Sequence, residues 1–359
     1  MRSISLVGLD VHAAQTHAAI LDVETGELRG VKLRVAPIEV VEFLGSLPGP
    51  VQAVYEAGPT GFGLARYARE RGIDVRVVAA GKVPRASGDR VKTDRRDAER
   101  LARLLAAGEL RFAFVPTVAD ERFRDVVRAI EDVRGDLMRA RHRLGKMLLR
   151  RDIRWAGPGS AWTVKHMAWL RTLRFSDPCS TAVFIDYLSG IEMLMGRRAA
   201  LVAALEQAIP DSTHAPVVAA LRCFRGIDTL SAAGLCAEIG DWQRFRPKRL
   251  SGFLGIVPTE HTSDTRRRQG AITKAGPVHA RRLLVEAAHH YRHRPAIGDS
   301  LRRRQDSQDP RVIEISWRAQ RRLHDRWSVL KGQRHKPHGV VAIAVARELA
   351  AFCWEAATL

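Results

Sequence analysis

Apolar and polar positions change their period several times along the chain. At the N-terminus they alternate: Ser3–Val11, Thr16–Val23 and Leu28–Val35 are short runs rich in β-branched residues. His12-Ala-Ala-Gln15 separates the first two, and Glu24-Thr25-Gly26 the second pair. A helical period over Ile38–Leu44 follows. Then come a strand over Val51–Glu56, a helix over Gly61–Arg71, a strand over Asp74–Ala79 and a helix beginning near Thr93. Three strands in hairpin succession followed by β-α units predict a mixed sheet flanked by helices.

Beyond this the period lengthens. Val126, Ile130, Val133, Leu137, Ala140, Leu144 and Met147 step by four and three, a heptad seam with charged residues on the other faces. A second helix, about Asp186–Ala208, carries Tyr187, Ile191, Leu194, Leu201, Leu205 and Ala208 in the same register, with Arg198 breaking it. Two partners suit these seams equally: each other, in an antiparallel hairpin, or a second subunit. Arg150–Ser180, rich in Trp, Arg, Gly and Pro, reads as a connector with short helices. From Val217 onward the chain reads as mostly helical, with one basic loop at Pro258–Lys274. Three domains are expected: 1–115, an α/β domain in RNase H-like element order; 116–212, a coiled-coil or helical linker; and 213–359, a mostly helical domain.

Charge narrows the partners. The 359 residues hold 59 Lys plus Arg against 39 Asp plus Glu, a net +20, so the expected partner is a polyanion. No apolar run is long enough to span a bilayer and no signal segment opens the chain, which predicts a cytoplasmic protein without a membrane partner. Cys179, Cys223, Cys236 and Cys353 lack metal-ligand spacing and read as buried thiols.

Four carboxylates stand out against the strand pattern. Asp10 ends the apolar strand Ile4–Asp10, where an unpaired charge is costly. Glu56 ends Val51–Glu56 and is followed by Ala-Gly-Pro-Thr-Gly61. Asp94 and Asp97 lie three apart on one helix face. With the first strand central, the fourth beside it and the last helix across both, the four converge. Oxygen ligands of this kind suit Mg²⁺ or Mn²⁺ and phosphodiester chemistry. Singly, each has an ordinary alternative: Asp10 or Glu56 as a turn cap, Asp94 as a solvated residue, Asp97 as the partner of Arg100.

Gly8-Leu-Asp10-Val-His12, Tyr55-Glu56-Ala-Gly-Pro-Thr-Gly61 and Lys92-Thr-Asp94-Arg-Arg-Asp97-Ala98 resemble the motifs of the DEDD-type insertion-sequence transposases, whose N-terminal domain is similar to the resolvase RuvC. Phe245–Pro258, Ser263, Gly270–Gly276 and Val341–Leu349 resemble that family's second domain. The resemblance implies a transposase/recombinase whose Asp10, Glu56, Asp94 and Asp97 bind Mg²⁺ or Mn²⁺. It implies that Ser263 attacks a DNA phosphate, that an element-encoded guide RNA pairs with the DNA at the element ends and target, and that the protein acts as a homo-oligomer, a dimer or tetramer. Asp264 stands where the family often has glycine, and Thr262 and Ser251 are neighbouring hydroxyls. The alternative is a metal-dependent, structure-specific endonuclease, which needs the carboxylates but not Ser263.

Arg266, Arg267, Arg268 and Lys274 flank Ser263 and are expected to contact nucleic acid, as are Arg302, Arg303 and Arg304. Leu221–Leu235, with Gly226 and Gly234, resembles a helix-hairpin-helix element. Trp317 and Trp327 interleave with C-terminal arginines, either as base-stacking platforms or as core. His289, His290 and His293 read as surface or phosphate-proximal residues.

Overall fold

The computed structural model describes residues 4–34, 36–79, 81, 83, 84, 93–263 and 266–359, with the backbone alone at 261–263, 266 and 267. Val35, Lys92, Asp264 and Thr265 lie outside the described residues. The chain divides into two units, Met1–Thr117 and Val118–Leu359.

The first unit is one mixed five-stranded sheet. Its strands are β1 (Ser5–Val11), β2 (Gln15–Asp22), β3 (Leu28–Arg34), β4 (Val51–Glu56) and β5 (Asp74–Val78), in spatial order β3-β2-β1-β4-β5. The β1-β2 and β2-β3 pairs are antiparallel, β1-β4 and β4-β5 parallel. The predicted mixed sheet is therefore present, with the first strand central and the fourth beside it. Alternation divides each strand between two layers. Val7, Leu9, Ala53, Tyr55, Val75 and Val77 pack with α1 (Pro37–Gly45) and α2 (Gly63–Glu70). Leu6, Ala19, Leu21, Val54 and Val78 face α3 (Asp94–Ala106), meeting its Ala98, Leu101 and Ala102.

Gly8 lies on the α3 side of β1, between Leu6 and Asp10. A Cβ there would sit 2.0 Å from the Ala98 carbonyl oxygen and 2.6 Å from the Ala102 nitrogen. The missing side chain lets the α3 backbone rest directly on the central strand. Thr93 caps α3, its hydroxyl accepting from the Arg96 amide at 3.3 Å.

The second unit is helical apart from one hairpin. α4 (Val118–Leu149) and α6 (Pro178–Ala208) pack antiparallel within the chain. Phe123, Val127 and Ile130 at the start of α4 share a core with Leu205. Leu144 and Met147 at its end share one with Phe184 and Leu188. The heptad seams thus find each other. α6 begins earlier than the seam alone implies, because Asp177 caps it through the Ser180 amide at 2.7 Å and Pro178 fills its first turn. α5 (Val164–Thr172) covers the end of this pair through Met167 and Leu170.

The remaining core joins α7 (Ala215–Leu221), α8 (Thr229–Ile239), α9 (Pro247–Phe253), α10 (Val278–Ala288), α11 (Asp299–Gln305), α12 (Pro310–Ser328) and α13 (His338–Ala357). α8 and α13 are apolar nearly all round and therefore central. Three cysteines are buried as expected, but Cys179, in the first turn of α6, is exposed. The expected basic loop is instead an antiparallel hairpin of β6 (Pro258–Ser263) and β7 (Arg266–Ile272). Its strands are polar on both faces, so no apolar alternation announces them. Among the described residues no helix is long and apolar enough to cross a membrane.

Candidate active site

The acidic centre forms where β1 ends against the start of α3. By strand alternation Asp10 follows Leu6 and Gly8 on the α3 face, and Glu56 follows Val54 on the same face of the adjoining strand. His17 sits opposite Asp10 in the β1-β2 ladder. The Asp10 carboxylate accepts from, or shares a proton with, His12 Nε2 at 3.0 Å. Asp94 approaches the same imidazole at 3.6 Å and His17 Nε2 at 3.8 Å, and accepts from Gln15 Nε2 at 3.4 Å. Ligand atoms of Asp10, His12 and Asp94 all lie within 4.8 Å of one another.

Burial holds the Asp10 carboxyl above its ordinary value; the His12 hydrogen bond and charge oppose this, and the charges of Asp94 and Asp97 add to it. Asp97 is 8 % exposed and bound to Arg100 at 2.5 Å. That is the ordinary ion pair its spacing allowed, and it leaves the buried Arg100 Nε with no partner among the described residues. The structure therefore brings Asp10 and Asp94 together and sets Asp97 close enough to act on Asp10. Glu56 stands one strand away on the same face, outside the three-residue cluster. His12 was missed as a site residue. Its signal was present: Asp10-Val11-His12 places two ligand-bearing side chains on one face of an extended chain.

In the second unit the segments around β6 and β7 explain the spacing of the Gly255 and Gly276 motifs. Both glycines have positive φ, 66° and 70°. A Cβ on Gly255 would lie 2.2 Å from the Ala275 oxygen, and one on Gly276 1.8 Å from the Phe253 oxygen. The end of α9 and the chain leaving β7 are thus pressed backbone to backbone. The buried Arg281 guanidinium donates to both the Leu254 and the Ala275 carbonyls at 2.9 Å. From this clamp the hairpin extends, with Ser263 paired to Arg266 in its ladder. Arg268 and Lys274 are exposed.

The other predicted contacts divide. Arg302 and Arg303 are exposed, whereas the partly buried Arg304 donates to the Ile227 carbonyl and is structural. Over the segment that resembles a helix-hairpin-helix element, α7 leads into α8, which Asp228 caps through the Ser231 amide. Both of the segment's glycines are packing positions: a Cβ on Gly226 would lie 2.9 Å from the Ala287 oxygen, and one on Gly234 2.6 Å from Leu283. Trp327 is core, at 6 % exposure, and Trp317 is half-buried. His289 stacks on His338 with a 3.1 Å hydrogen bond.

Comparison with known proteins gives matches to both units. Residues 7–151 match the IS110-type DEDD transposase model, and residues 218–301 match the model described as transposase, IS116/IS110/IS902 family. A Sinorhizobium fredii protein named transposase y4qE is 39 % identical over 333 residues, 92 % of this chain and 79 % of that protein. The transposase for insertion sequence element IS1533 of Leptospira borgpetersenii is 30 % identical over 338 residues, 92 % of this chain and 97 % of that one.

Proposed function

The chain belongs to the IS116/IS110/IS902 family of transposases, and from that premise we propose that it cuts and rejoins DNA through a metal-binding acidic centre and a serine nucleophile. The observation that carries the metal reading is the convergence of Asp10, His12 and Asp94. A half-buried carboxylate with its proton affinity raised, beside a second carboxylate, is a donor set that a divalent cation relieves. The carboxylate oxygens fit Mg²⁺, and the imidazole shifts the preference toward Mn²⁺. Asp10, Asp94 and His12 hold the ion, with Glu56 beside them and Asp97 joining if its pair with Arg100 opens. Bound there, the cation offsets the charge of a phosphodiester during transfer.

Ser263 supplies the covalent step. Its Oγ attacks a DNA phosphorus; the new O–P bond forms as the bond to the departing deoxyribose oxygen breaks. The serine proton passes to a base, and the strand stays as a phosphoserine until the reverse attack rejoins it. The arginines at 266–268 together with Lys274, and the exposed Arg302 and Arg303, hold backbone phosphates. Guidance by an element-encoded RNA and assembly as a dimer or tetramer complete the proposal. Their support is the family motifs around Asp10, Glu56, Asp94 and Ser263.

A trapping assay tests it. Protein, element-end DNA, flanking-region RNA and Mg²⁺ are combined and resolved on a denaturing gel. A protein–DNA adduct that is absent with Ser263→Ala supports serine recombination. Cleavage without any adduct, abolished by Asp10→Ala, makes the protein a metal nuclease and overturns the role of Ser263.

A further inference from the structure

The far end of the α4–α6 hairpin carries chemistry that strand cutting does not use. Three of the chain's seven tryptophans, Trp155, Trp162 and Trp169, lie within fifteen residues there, all only half-buried. They surround the buried His166. Trp155 and Trp169 are 5.3 Å apart between ring centroids, and His166 lies 5.1–5.5 Å from all three. Trp162 and Trp169 pack on one side against the hairpin core, and all three rings keep part of their surface exposed. Here they border a cavity of about 430 Å³, within the roughly 300–1,000 Å³ typical of small-ligand sites.

A second cavity of about 580 Å³ adjoins it, sharing Arg141, His142 and Trp162. Its character is cationic: Arg134, Arg141 and Arg198 line it, and no carboxylate does among the described residues. Arg134 is neutralised by Glu131 at 2.7 Å. Arg141 lies over the Trp162 ring at 5.2 Å, and Arg198 is close enough to lower its proton affinity further after burial has done so. Two arginines repelling each other without a carboxylate between them make a place for an anion. The Nε of Arg141, Nε1 of Trp155 and Nδ1 of His166 are all buried in the walls of the aromatic cavity with no hydrogen-bond partner among the described residues. Lys146 extends the positive charge at its rim, where Arg154 is paired with Asp152 at 3.1 Å.

We propose that this paired cavity binds single-stranded nucleic acid, the aromatic half taking an unstacked base and the arginine half the adjoining phosphate. An apolar, ring-lined pocket next to an arginine pair matches a nucleotide, with a base stacking on one of the rings, and base–aromatic stacking is worth about 1–3 kcal/mol per base. A duplex cannot use it, because its bases are already stacked. The surrounding positive charge favours a polyanion over an apolar peptide or a second copy of the chain.

The test compares the full chain with Trp162→Ala, Trp162→Phe and Arg154→Glu. Fluorescence anisotropy follows a labelled single strand, as DNA and as RNA, and a duplex of equal phosphate number at one fixed salt concentration. Trp162→Ala is expected to weaken single-strand binding by about five- to a hundredfold and leave duplex binding within about twofold. Trp162→Phe is expected to recover most of the loss. Photo-crosslinking of a 5-iodouracil oligonucleotide should label a peptide within 154–169. If Trp162→Ala does not fold, as read by circular dichroism, Arg154→Glu must reduce that cross-link. The proposal is overturned if folded Trp162→Ala binds the single strand like the parent, if both nucleic acids weaken equally, or if cross-links map elsewhere. It is also overturned if Trp162→Ala dissociates an oligomer while oligonucleotide affinity persists.

Discussion

Gly8→Ala adds one methyl group at the point where α3 lies against the central strand. The new Cβ would meet the Ala98 oxygen at 2.0 Å and the Ala102 nitrogen at 2.6 Å, and both are backbone atoms that no rotamer change can move. Reaching an ordinary contact near 3.4 Å requires α3 to retreat by about 1.4 Å. Overpacking a core costs roughly 1–3 kcal/mol, and a backbone-on-backbone clash belongs at the top of that range. At about 4 °C per kcal/mol the first unit's Tm falls by about 8–12 °C. The same retreat draws Asp94 away from Asp10, because Asp94 opens α3. The parent should gain about 2.7 kcal/mol from Mn²⁺ at a hundredfold excess over Kd, and the variant should lose most of that gain. Differential scanning calorimetry with and without Mn²⁺ reads both effects. Gly30→Ala is the control, since its Cβ would meet nothing closer than 3.9 Å. If Gly8→Ala melts within about 2 °C of the parent, or keeps the full Mn²⁺ response, the contact does not position the acidic centre.

His12→Ala should weaken Mn²⁺ more than Mg²⁺, because it removes the nitrogen donor from the Asp10–Asp94 cluster; isothermal titration calorimetry checks this. Arg281→Met should destabilise the second unit by about 2–4 kcal/mol, as it leaves the Leu254 and Ala275 carbonyls without their charged donor; a urea titration measures it. The third concerns Glu238. Burial pushes this carboxyl up, but the His279 imidazole and the Arg128 guanidinium more than reverse this and hold it at about 2. A depressed carboxyl stabilises the fold above its unfolded value of 4.5 and loses that contribution as pH falls from there toward 2. About 2–3 kcal/mol should therefore vanish across that window in the parent, and a pH series of melts should show a flatter profile for Glu238→Gln.

Much of the first unit was legible because alternation and burial coincide in it. Val51–Glu56 appeared as a strand at its observed limits, and the heptad positions Ile130 to Met147 became the buried face of α4. Pairing of that face was not legible, since a seam records only that it wants an apolar partner; the answer came from α6 lying antiparallel to it. The β6–β7 hairpin escaped notice because neither of its faces is apolar. Asp10 and Asp94 were found from strand-end and helix-start positions. A single histidine beside a turn has many ordinary explanations, and only the α3 approach at Gly8 brings Asp94 to the imidazole that Asp10 already meets. The sequence placed Arg302, Arg303 and Arg304 in one class, but helical rotation carries Arg304 inward to the Ile227 carbonyl.

The clamp of Gly255, Gly276 and Arg281 has an effect on how this protein can change over generations. It anchors the base of a two-stranded arm in which none of the described side chains is buried, from Pro258 to Glu260 and from Arg268 to Ile272. Substitutions along such an arm leave the stability of the helical core almost untouched. The residues of the clamp are under the opposite constraint, since each is fixed by a backbone approach or a buried donor. Apart from Ser263 and the arginines at 266–268, which the proposed chemistry holds, variation should therefore accumulate in the arm and be purged at its root. An insertion sequence can then alter what its strands touch while inheriting the same folded body.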